Sequence, residues 1–561
     1  MFAVQSSYTV FAHLLRHVTA LPSSDHQLLV GWFKTLEIKR FSALVQHLLQ
    51  FITVRRFPPA DMSLPPMSKS KWWVPTATRV LALLNVANNT RSLPLIHYTD
   101  FYNSALDHLD LMDEYMSWQA PERPDRFSFC QYPFILSIVA KRYILTKDSE
   151  QQMILTARRS LVAKVSRHQI PDIEVFFLNI SVRRAHLVPD SLREIGRRQR
   201  DLKKKLKVTF EGEPGLDMGG LTKEWFQLLI RQPDYGMFVY HSRSRCYWFS
   251  LSQSGNLREY NLIGVLMGLA VYNSIILDLH FPHVCYRKLL SPPVVPNFEY
   301  VPVGLAREPS TIDLAEIMPV SFLACRRFLL LLAETFFSCK YLSFQEVASS
   351  LKDLLVHEGD VEEDFCMCFQ VSVEEFGKVK TYNLKESGDQ LPVTNENREE
   401  FVKLYLDFVL NSGIYEQFRA FYLGFHSVCA SNALIMLRPE EVEMLVCGSP
   451  NCDLSELKKV VEYDGFTSSD PDILDFWEIL LSLSTDLQKK FLLFTTGSDR
   501  IPVGGISEMT FKISAQRESL DMLPQAHTCF NQLVLPTYKN RNIMREKLTI
   551  AISNAEGFGL E

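Results

Sequence analysis

Apolar residues recur at helical spacing through much of the first 175 residues. The residues that follow this spacing are Val10, Phe11, Leu14, Leu15 and Val18, and then Phe41, Leu44, Val45, Leu48 and Leu49. Such spacing places apolar side chains on one face of a helix. We therefore predict a helical N-terminal region over residues 1–175, with a further helix over Trp73–Val86 and a proline-rich loop over Phe57–Lys71. The pattern fits a platform that binds a substrate or partner, and equally an extension that only stabilises the next domain.

The pattern changes near residue 179. Residues Asn179–Arg183 alternate between polar and apolar, which predicts a strand. Ser191 and Glu194 are spaced as a capping box, so we predict a helix that begins there and includes the basic stretch Arg193–Lys207. Its apolar side would consist of Leu192, Ile195, Leu202 and Leu206. A solvated helix face is therefore favoured over a nucleic-acid-binding or nuclear-targeting segment.

The rest of the chain mixes helices with short strands. Val208–Gly220 passes from strand-like to glycine-rich, and the absence of a following GK[ST] excludes a phosphate-binding loop. Leu262–Leu277 predicts a buried core helix rather than a membrane span, because polar residues interrupt its apolar run. Further helices are predicted at Leu221–Ile230, Arg438–Gly448, Phe476–Leu483 and Asp486–Phe494, the last with Thr485 and Gln488 spaced as a capping box. The pattern favours an α+β fold.

One thiol stands out near the C-terminal end. Phe530–Leu535 is short and apolar, which predicts a buried strand, and Cys529 lies where a loop enters it, two residues after His527. A nucleophilic thiol must be reachable and able to form thiolate, and the mouth of a strand allows both. The alternative is a structural cysteine, because free cysteine usually behaves as a small buried hydrophobe.

Composition narrows the function classes. The 561 residues have a net charge of −5, so nothing global indicates nucleic acid or an anionic membrane as a partner. The 11 cysteines form no CxxC pair and no zinc spacing, which indicates reduced thiols in the cytosol or nucleus. The first residues do not show the pattern of a secretory signal.

Three separate short motifs resemble those of the HECT family of E3 ubiquitin ligases. They are HTCFN around Cys529, TTGSDRIPVGG at Thr495–Gly505, and GFGL at Gly557–Leu560. The resemblance implies a bilobal HECT domain after the helical region. The implied parts are a large, mostly helical N-lobe (176–463) with an E2-binding subdomain (about 347–422), a hinge (464–467) and a smaller α/β C-lobe (468–561).

The resemblance also implies roles for individual residues. Cys529 would carry ubiquitin as a thioester, His527 and Thr528 would polarise the site, and Phe558 would act in transfer or merely cover the C-lobe core. Arg500 would orient the ubiquitin tail or stabilise charge, or else form a salt bridge within its loop. Family positions place Leu351, Phe365, Met367, Phe401 and Tyr405 in the E2 groove, Glu224 and Asp278 near the lobe junction, and Asp464 and Gly465 in the hinge. Phe401 and Tyr405, at i and i+4 of a helix, are also compatible with a core role.

The implied function is ubiquitin transfer from a charged E2 to substrate lysines. The implied partners are that E2, ubiquitin and protein substrates, with no metal, organic cofactor, nucleic acid or membrane. The chain departs from the family over Ser321–Phe344, an extra apolar stretch, which keeps a non-catalytic E2- and ubiquitin-binding scaffold as an alternative. A cysteine hydrolase acting on ubiquitin is a third class, and the strand-like residues after Cys529 argue against it.

Overall fold

The structure of the protein is a computed structural model. It describes residues 5–59, 64–91, 93–120, 126–170, 172–213, 220–230, 237–241, 246–251, 256–277, 279–291, 351, 353–375, 378–449, 453–498, 500–506, 509–516 and 522–554. Two compact units emerge: Met1–Asp148 with Asn432–Leu437, and Ser149–Ser431 with Arg438–Glu561. The division between these units falls at residue 148, inside the helical region predicted over residues 1–175. Residues just after 148 already pack in the second unit, where Lys203 Nζ donates to Gln152 Oε1 over 3.3 Å.

The first unit is helical, as the apolar spacing predicted. Its helices are α1 (Gln5–Thr19), α2 (Ser23–Lys34), α3 (Ile38–Arg56), α4 (Met67–Ser70), α5 (Trp73–Asn89) and α6 (Leu111–Gln119), and α7 (Ile138–Ser166) contains the division between the units. The Phe51 ring stacks between Tyr8 and Trp73, with centroids 5.9 and 5.6 Å away. The proline-rich stretch is a loop apart from α4 within the described residues.

The second unit begins with a two-stranded parallel sheet, β1 (Phe177–Val182) and β2 (Lys205–Phe210), separated by α8 (Leu187–Arg197). The strand prediction is confirmed. The prediction of one basic helix through Lys207 is wrong, because α8 ends at Arg197 and Leu206 is buried within β2. The predicted cap is also wrong: α8 begins four residues before Ser191, whose hydroxyl instead accepts from Trp225 Nε1 over 3.0 Å.

A tightly packed helix pair, α10 (Leu257–Tyr272) and α14 (Tyr415–Val428), forms the centre of the second unit. The other elements of this part are α9 (Gly220–Ile230), the hairpin β3 (Phe238–His241) and β4 (Cys246–Phe249), and α11 (His283–Leu290). A Cβ at Gly264 would lie 2.0 Å from Phe421 O, and one at Gly424 would lie 2.1 Å from Asn261 O. Only glycine allows the two backbones to approach so closely. The buried core helix predicted from Leu262 is confirmed.

A buried lysine stands beside this pair. Lys288 Nζ donates to Leu410 O over 2.5 Å and to Asn411 Oδ1 over 2.9 Å, and lies 4.4 Å from the centroid of the Phe418 ring. Because burial disfavours the charged ammonium, it lowers the pKa of Lys288 to about 7. This group therefore titrates near neutral pH.

A smaller subdomain lies between α11 and α14. Residues 351 and 353–356 are helical, followed by α12 (Val361–Phe365), the hairpin β5 (Gln370–Glu375) and β6 (Lys378–Asn383), and α13 (Arg398–Leu410). The predicted boundary at 422 falls inside α14, which packs on α10. The subdomain therefore ends near residue 411, because α14 belongs to the central helix pair.

The last part of the chain, which follows α15 (Pro439–Cys447), is an α/β unit. Its sheet has the order β7-β8-β10-β9, with β9 antiparallel to β10 and the other pairs parallel. The strands are β7 (Val461–Asp464), β8 (Phe511–Gln516), β9 (Gln525–His527) and β10 (Gln532–Pro536), and the helices are α16 (Leu457–Val460), α17 (Pro471–Ser482), α18 (Thr485–Thr496) and α19 (Arg541–Ser553). α18 is capped by Ser484 Oγ, which accepts from Leu487 N, so the predicted Thr485–Gln488 box is one residue late.

The chain combines helices with small sheets, which fits the predicted α+β class. Among the described residues, no helix is both long enough and apolar enough to span a membrane.

Candidate functional site

Cys529 lies at the centre of a three-residue 3₁₀ turn, Thr528–Phe530. The turn joins β9 to β10, and His527 pairs with Gln532 across the two strands. β9 is the edge strand of the sheet among the described residues. The sequence predicted that Cys529 lies where a loop meets a strand, and the backbone confirms this position. The backbone of Cys529 therefore lies at a margin of the sheet.

Hydrogen bonds hold the turn against the neighbouring strand. Asn531 adopts a left-handed conformation with φ 46° and ends the turn. Its Nδ2 donates to Thr510 O over 3.1 Å, and its own carbonyl oxygen accepts from Lys512 N over 3.1 Å. The turn that carries Cys529 is therefore fixed on the C-terminal core.

The side chains beside Cys529 are open to solvent to different degrees. His527 is exposed, Thr528 is half-buried, and the Phe530 ring is 59% exposed. A large aromatic ring left this open is unusual for a core residue. The turn thus presents an aromatic surface and an imidazole next to the cysteine backbone.

Arg500 contacts the N-terminal part of the domain. Its Nη2 lies 3.0 Å from Nε2 of His280, which precedes α11. Asp499, the alternative partner expected for Arg500, lies outside the described residues. Close to this contact, His283 Nδ1 lies 3.2 Å from Glu443 Oε2 on α15. Burial raises the pKa of Glu443, although His283, His280 and Arg500 all oppose the rise.

The predicted hinge at Asp464 and Gly465 is wrong in its position. Asp464 ends strand β7, and its carboxylate pairs with Lys512 of β8 over 2.8 Å, which lowers the pKa of Asp464. On both sides of Gly465 the chain packs into one hydrophobic core, which includes Leu454, Leu457, Phe476 and Leu533. A hinge between lobes cannot lie between two elements that share a core.

The chain instead leaves the N-terminal part directly after α15. Gly448 has φ +69°, and a Cβ there would lie 2.9 Å from Ile501 O. Ser449 N donates to Ile501 O over 2.8 Å, and Ile501 N donates to Ser449 O over 3.2 Å. The C-terminal core begins at Leu454. The connection between the two parts is therefore residues 448–453, of which 450–452 lie outside the described residues.

The five residues expected in the E2 groove differ in exposure. Leu351 and Phe401 are buried, at 3% and 2%, whereas Phe365, Met367 and Tyr405 are half-buried. The Phe401 ring meets Phe369 edge-on at 5.4 Å and Tyr405 at 6.0 Å. In this structure Phe401 and Leu351 are core residues and can only support a groove from below. Burial raises the pKa of Tyr405 to about 12.

The remaining predicted residues are not brought to the cysteine turn by any described contact. Glu224 is 5% exposed and accepts from Arg184 Nη1 over 2.7 Å, so it pairs within the N-terminal part. Asp278, Phe558 and the extra stretch Ser321–Phe344 lie outside the described residues. Within the described part of the chain, no group of three or more His, Cys, Asp and Glu side chains could hold a metal ion.

His280, His283 and Glu443 were not predicted from the sequence, and Gly448 was predicted only as the end of a helix. No periodicity marks these residues, because they meet only when the loop after α18 packs beside α11 and α15. Gly448 alone carried a signal, as a glycine at the end of a predicted helix.

Comparison with known proteins identifies the family of the chain. The family described as HECT-domain (ubiquitin-transferase) matches residues 221–561. The chain is 57% identical over 559 residues to the Homo sapiens protein named Probable E3 ubiquitin-protein ligase HECTD2, covering 99% of this chain and 69% of that protein. The Mus musculus protein of the same name is 56% identical over 563 residues, covering 100% and 69%. Probable E3 ubiquitin-protein ligase HERC4 of Rattus norvegicus is 35% identical over 564 residues, covering 96% and 49%. The family expected from the three short motifs is confirmed, and the chain belongs to the HECT family of E3 ubiquitin-protein ligases.

Proposed function

We propose that this chain accepts ubiquitin from a charged E2 as a thioester on Cys529 and transfers it to lysine side chains of protein substrates. The observation that carries the proposal is the position of Cys529 in an edge turn of a sheet, inside the region that matches the HECT family. Asn531 fixes the turn, so the backbone that carries Cys529 has a rigid support.

The proposed chemistry has two steps. The Cys529 thiolate attacks the carbonyl carbon of the ubiquitin–E2 thioester, and the E2 cysteine leaves as a thiolate. Because one thioester replaces another, this step depends mainly on proximity and orientation. A neutral lysine amine then attacks the new thioester, the Cys529 thiolate leaves, and the amine loses a proton as the isopeptide bond forms.

Residues beside the turn would assist the second step. His527 and Thr528 precede Cys529 directly, and an imidazole or hydroxyl there can accept a proton or hydrogen-bond a developing oxyanion. We assign Phe558 to the transfer step because it lies in the GFGL motif at Gly557–Leu560, which resembles the family. The chemistry needs no metal or organic cofactor, because the energy is stored in the incoming thioester.

We further propose a two-lobe arrangement in which the C-terminal core moves on residues 448–453. Its support is the separate core from Leu454 to Ile552, to which strands β8 and β10 contribute and against which β7 packs. Movement about a short connection would let one thiol meet first the E2 and then a substrate. The connection replaces the hinge predicted at Asp464 and Gly465.

The E2 would bind the small subdomain at residues 351–411. The half-buried side chains of Phe365, Met367 and Tyr405 offer an apolar and aromatic surface, which is the composition of an interface centre. Leu351 and Phe401 would support this surface from within the core.

Two alternative functions can be distinguished from ubiquitin transfer. A scaffold without catalysis would bind charged E2 but form no adduct with ubiquitin. A ubiquitin hydrolase would have a helix that stabilises its thiolate, whereas strand β10 follows the turn here. We propose a location in the cytosol or nucleus, supported by the free thiols of Cys130, Cys246, Cys285, Cys366, Cys368, Cys429 and Cys447.

The test is an assay with E1, charged E2 and labelled ubiquitin. The wild-type chain should form a ubiquitin adduct that a reducing agent removes. Cys529→Ala should form none, whereas Cys246→Ala, which removes a half-buried thiol on β4, should form the adduct normally. An adduct of normal yield in Cys529→Ala would overturn the assignment.

A further inference from the structure

Four titratable or charged side chains meet where the loop after α18 packs against the N-terminal part of the domain. Arg500 Nη2 lies 3.0 Å from His280 Nε2, and His283 Nδ1 lies 3.2 Å from Glu443 Oε2. The Glu443 carboxylate also interacts electrostatically with His280 and Arg500, and with Glu440 on its own helix. These groups come from three places in the chain: the segment at the start of α11, helix α15, and the loop of Arg500.

The contact between Arg500 and His280 fixes the protonation of the imidazole. A guanidinium has only donors, so His280 Nε2 must accept and must carry no proton in this arrangement. A proton on Nε2 would replace the acceptor with a donor that faces a permanent cation. The contact therefore exists only with the ring in its neutral form.

The same loop is fixed by two further contacts that do not involve the side chain of residue 280. Ser449 and Ile501 exchange two backbone hydrogen bonds of 2.8 and 3.2 Å. Gln227 Nε2 donates to Gly497 O. The loop over residues 497–501 is thus the place where the C-terminal core contacts α9, α15 and the start of α11.

We propose that His280 is a positioning residue that holds Arg500, and with it the C-terminal core that carries Cys529, against the N-terminal part of the domain. The inference rests on the proposed function, because the orientation of Cys529 towards bound E2 governs the rate of thioester exchange. Glu443 and His283 provide the surrounding charge, and His280 alone supplies the acceptor in the observed contact.

Amide hydrogen exchange on the full chain tests the contact without any ubiquitin chemistry. The amides of Ser449 and Ile501 exchange only when the loop separates from the connection. In His280→Ala their protection should fall about tenfold, because a hydrogen bond to a charged group is lost. His280→Gln keeps an acceptor in its Oε1 atom, so its protection should stay near that of the wild type.

An amide inside the C-terminal sheet provides the control for both variants. Ile513, in the middle of β8, should keep its protection in both variants and serves as the control.

Loading of Cys529 links the contact to the reaction. His280→Ala should load several-fold more slowly because the thiol is no longer held in one orientation, and His280→Gln should load at the wild-type rate. Equal behaviour of the two variants, unchanged protection in His280→Ala, or loss of protection at Ile513 as well would each overturn the inference. Absence of any adduct in the wild type, with the exchange pattern as expected, would overturn the proposed function and leave the contact standing.

Discussion

Truncation of Phe401 should weaken the small subdomain, and through it the E2 surface. The ring lies in α13 at 2% exposure and contacts Phe369 of the same subdomain. Phe401→Ala removes a fully buried ring, which typically costs about 3–5 kcal/mol because the cavity refills only partly. The subdomain over residues 351–411 has a small core of its own, so a loss of this size is a large part of its local stability.

Two measurements separate a core role from a contact role. In Phe401→Ala, the amides of hairpin β5–β6 should exchange much faster, and Cys529 should load more slowly. In Met367→Ala, the matched control, a half-buried side chain is removed, so loading should slow while exchange in the hairpin stays normal. Slow loading of Phe401→Ala with normal exchange would refute the reasoning, because Phe401 would then act by direct contact with the E2.

Three other substitutions test separate parts of the account. Gly465→Ala should destabilise the C-terminal core by about 1–2 kcal/mol, because φ is +76° and the new Cβ would lie 3.0 Å from Ala515 Cβ. Slower loading of Cys529 at unchanged stability would instead support a hinge at Gly465. Lys288→Met should remove a pH dependence. Burial lowers the pKa of Lys288 from 10.5 to about 7, so the unfolded chain binds more protons between these values and the free energy of unfolding rises with pH. The rise is up to about 5 kcal/mol over the whole interval, and about 2 kcal/mol of it falls between pH 7 and pH 9. Unfolding of both proteins by urea at pH 7 and pH 9 checks this, and parallel changes would contradict it. Phe558→Ala should load normally but discharge ubiquitin to lysine more slowly in a pulse-chase assay, and equal slowing of both steps would indicate a structural ring.

Local pattern predicted those elements whose apolar residues follow one period. The helix from Trp73, the strand from Asn179 and the helix around Phe476 were all confirmed, because each buries one face against its own neighbours. The predicted helix through Lys207 was wrong because Leu202 and Leu206 also fit a turn followed by a strand. The choice between helix and strand is decided by pairing with β1, which is a contact between separate parts of the chain.

The position of a site residue could be predicted where a short motif and the structure that holds it are adjacent in the chain. Cys529 was placed correctly at the mouth of a strand, because the turn and β10 are adjacent in the chain. The hinge was misplaced because Gly465 has the composition of a flexible turn, whereas the packing of Leu454 and Leu457 into the C-terminal core is a tertiary event. The contact of His280 with Arg500 joins residues 220 positions apart, and no sequence period reports it.

Replacement of the proposed nucleophile by serine tests the central claim most directly. If residue 529 carries ubiquitin, Cys529→Ser incubated with charged E2 should form an oxygen ester in place of the thioester. The adduct should then resist a thiol reductant but break in mild alkali, and peptide mapping should place it at residue 529. An adduct of Cys529→Ser that the reductant still removes would show that another cysteine carries ubiquitin and would contradict the account.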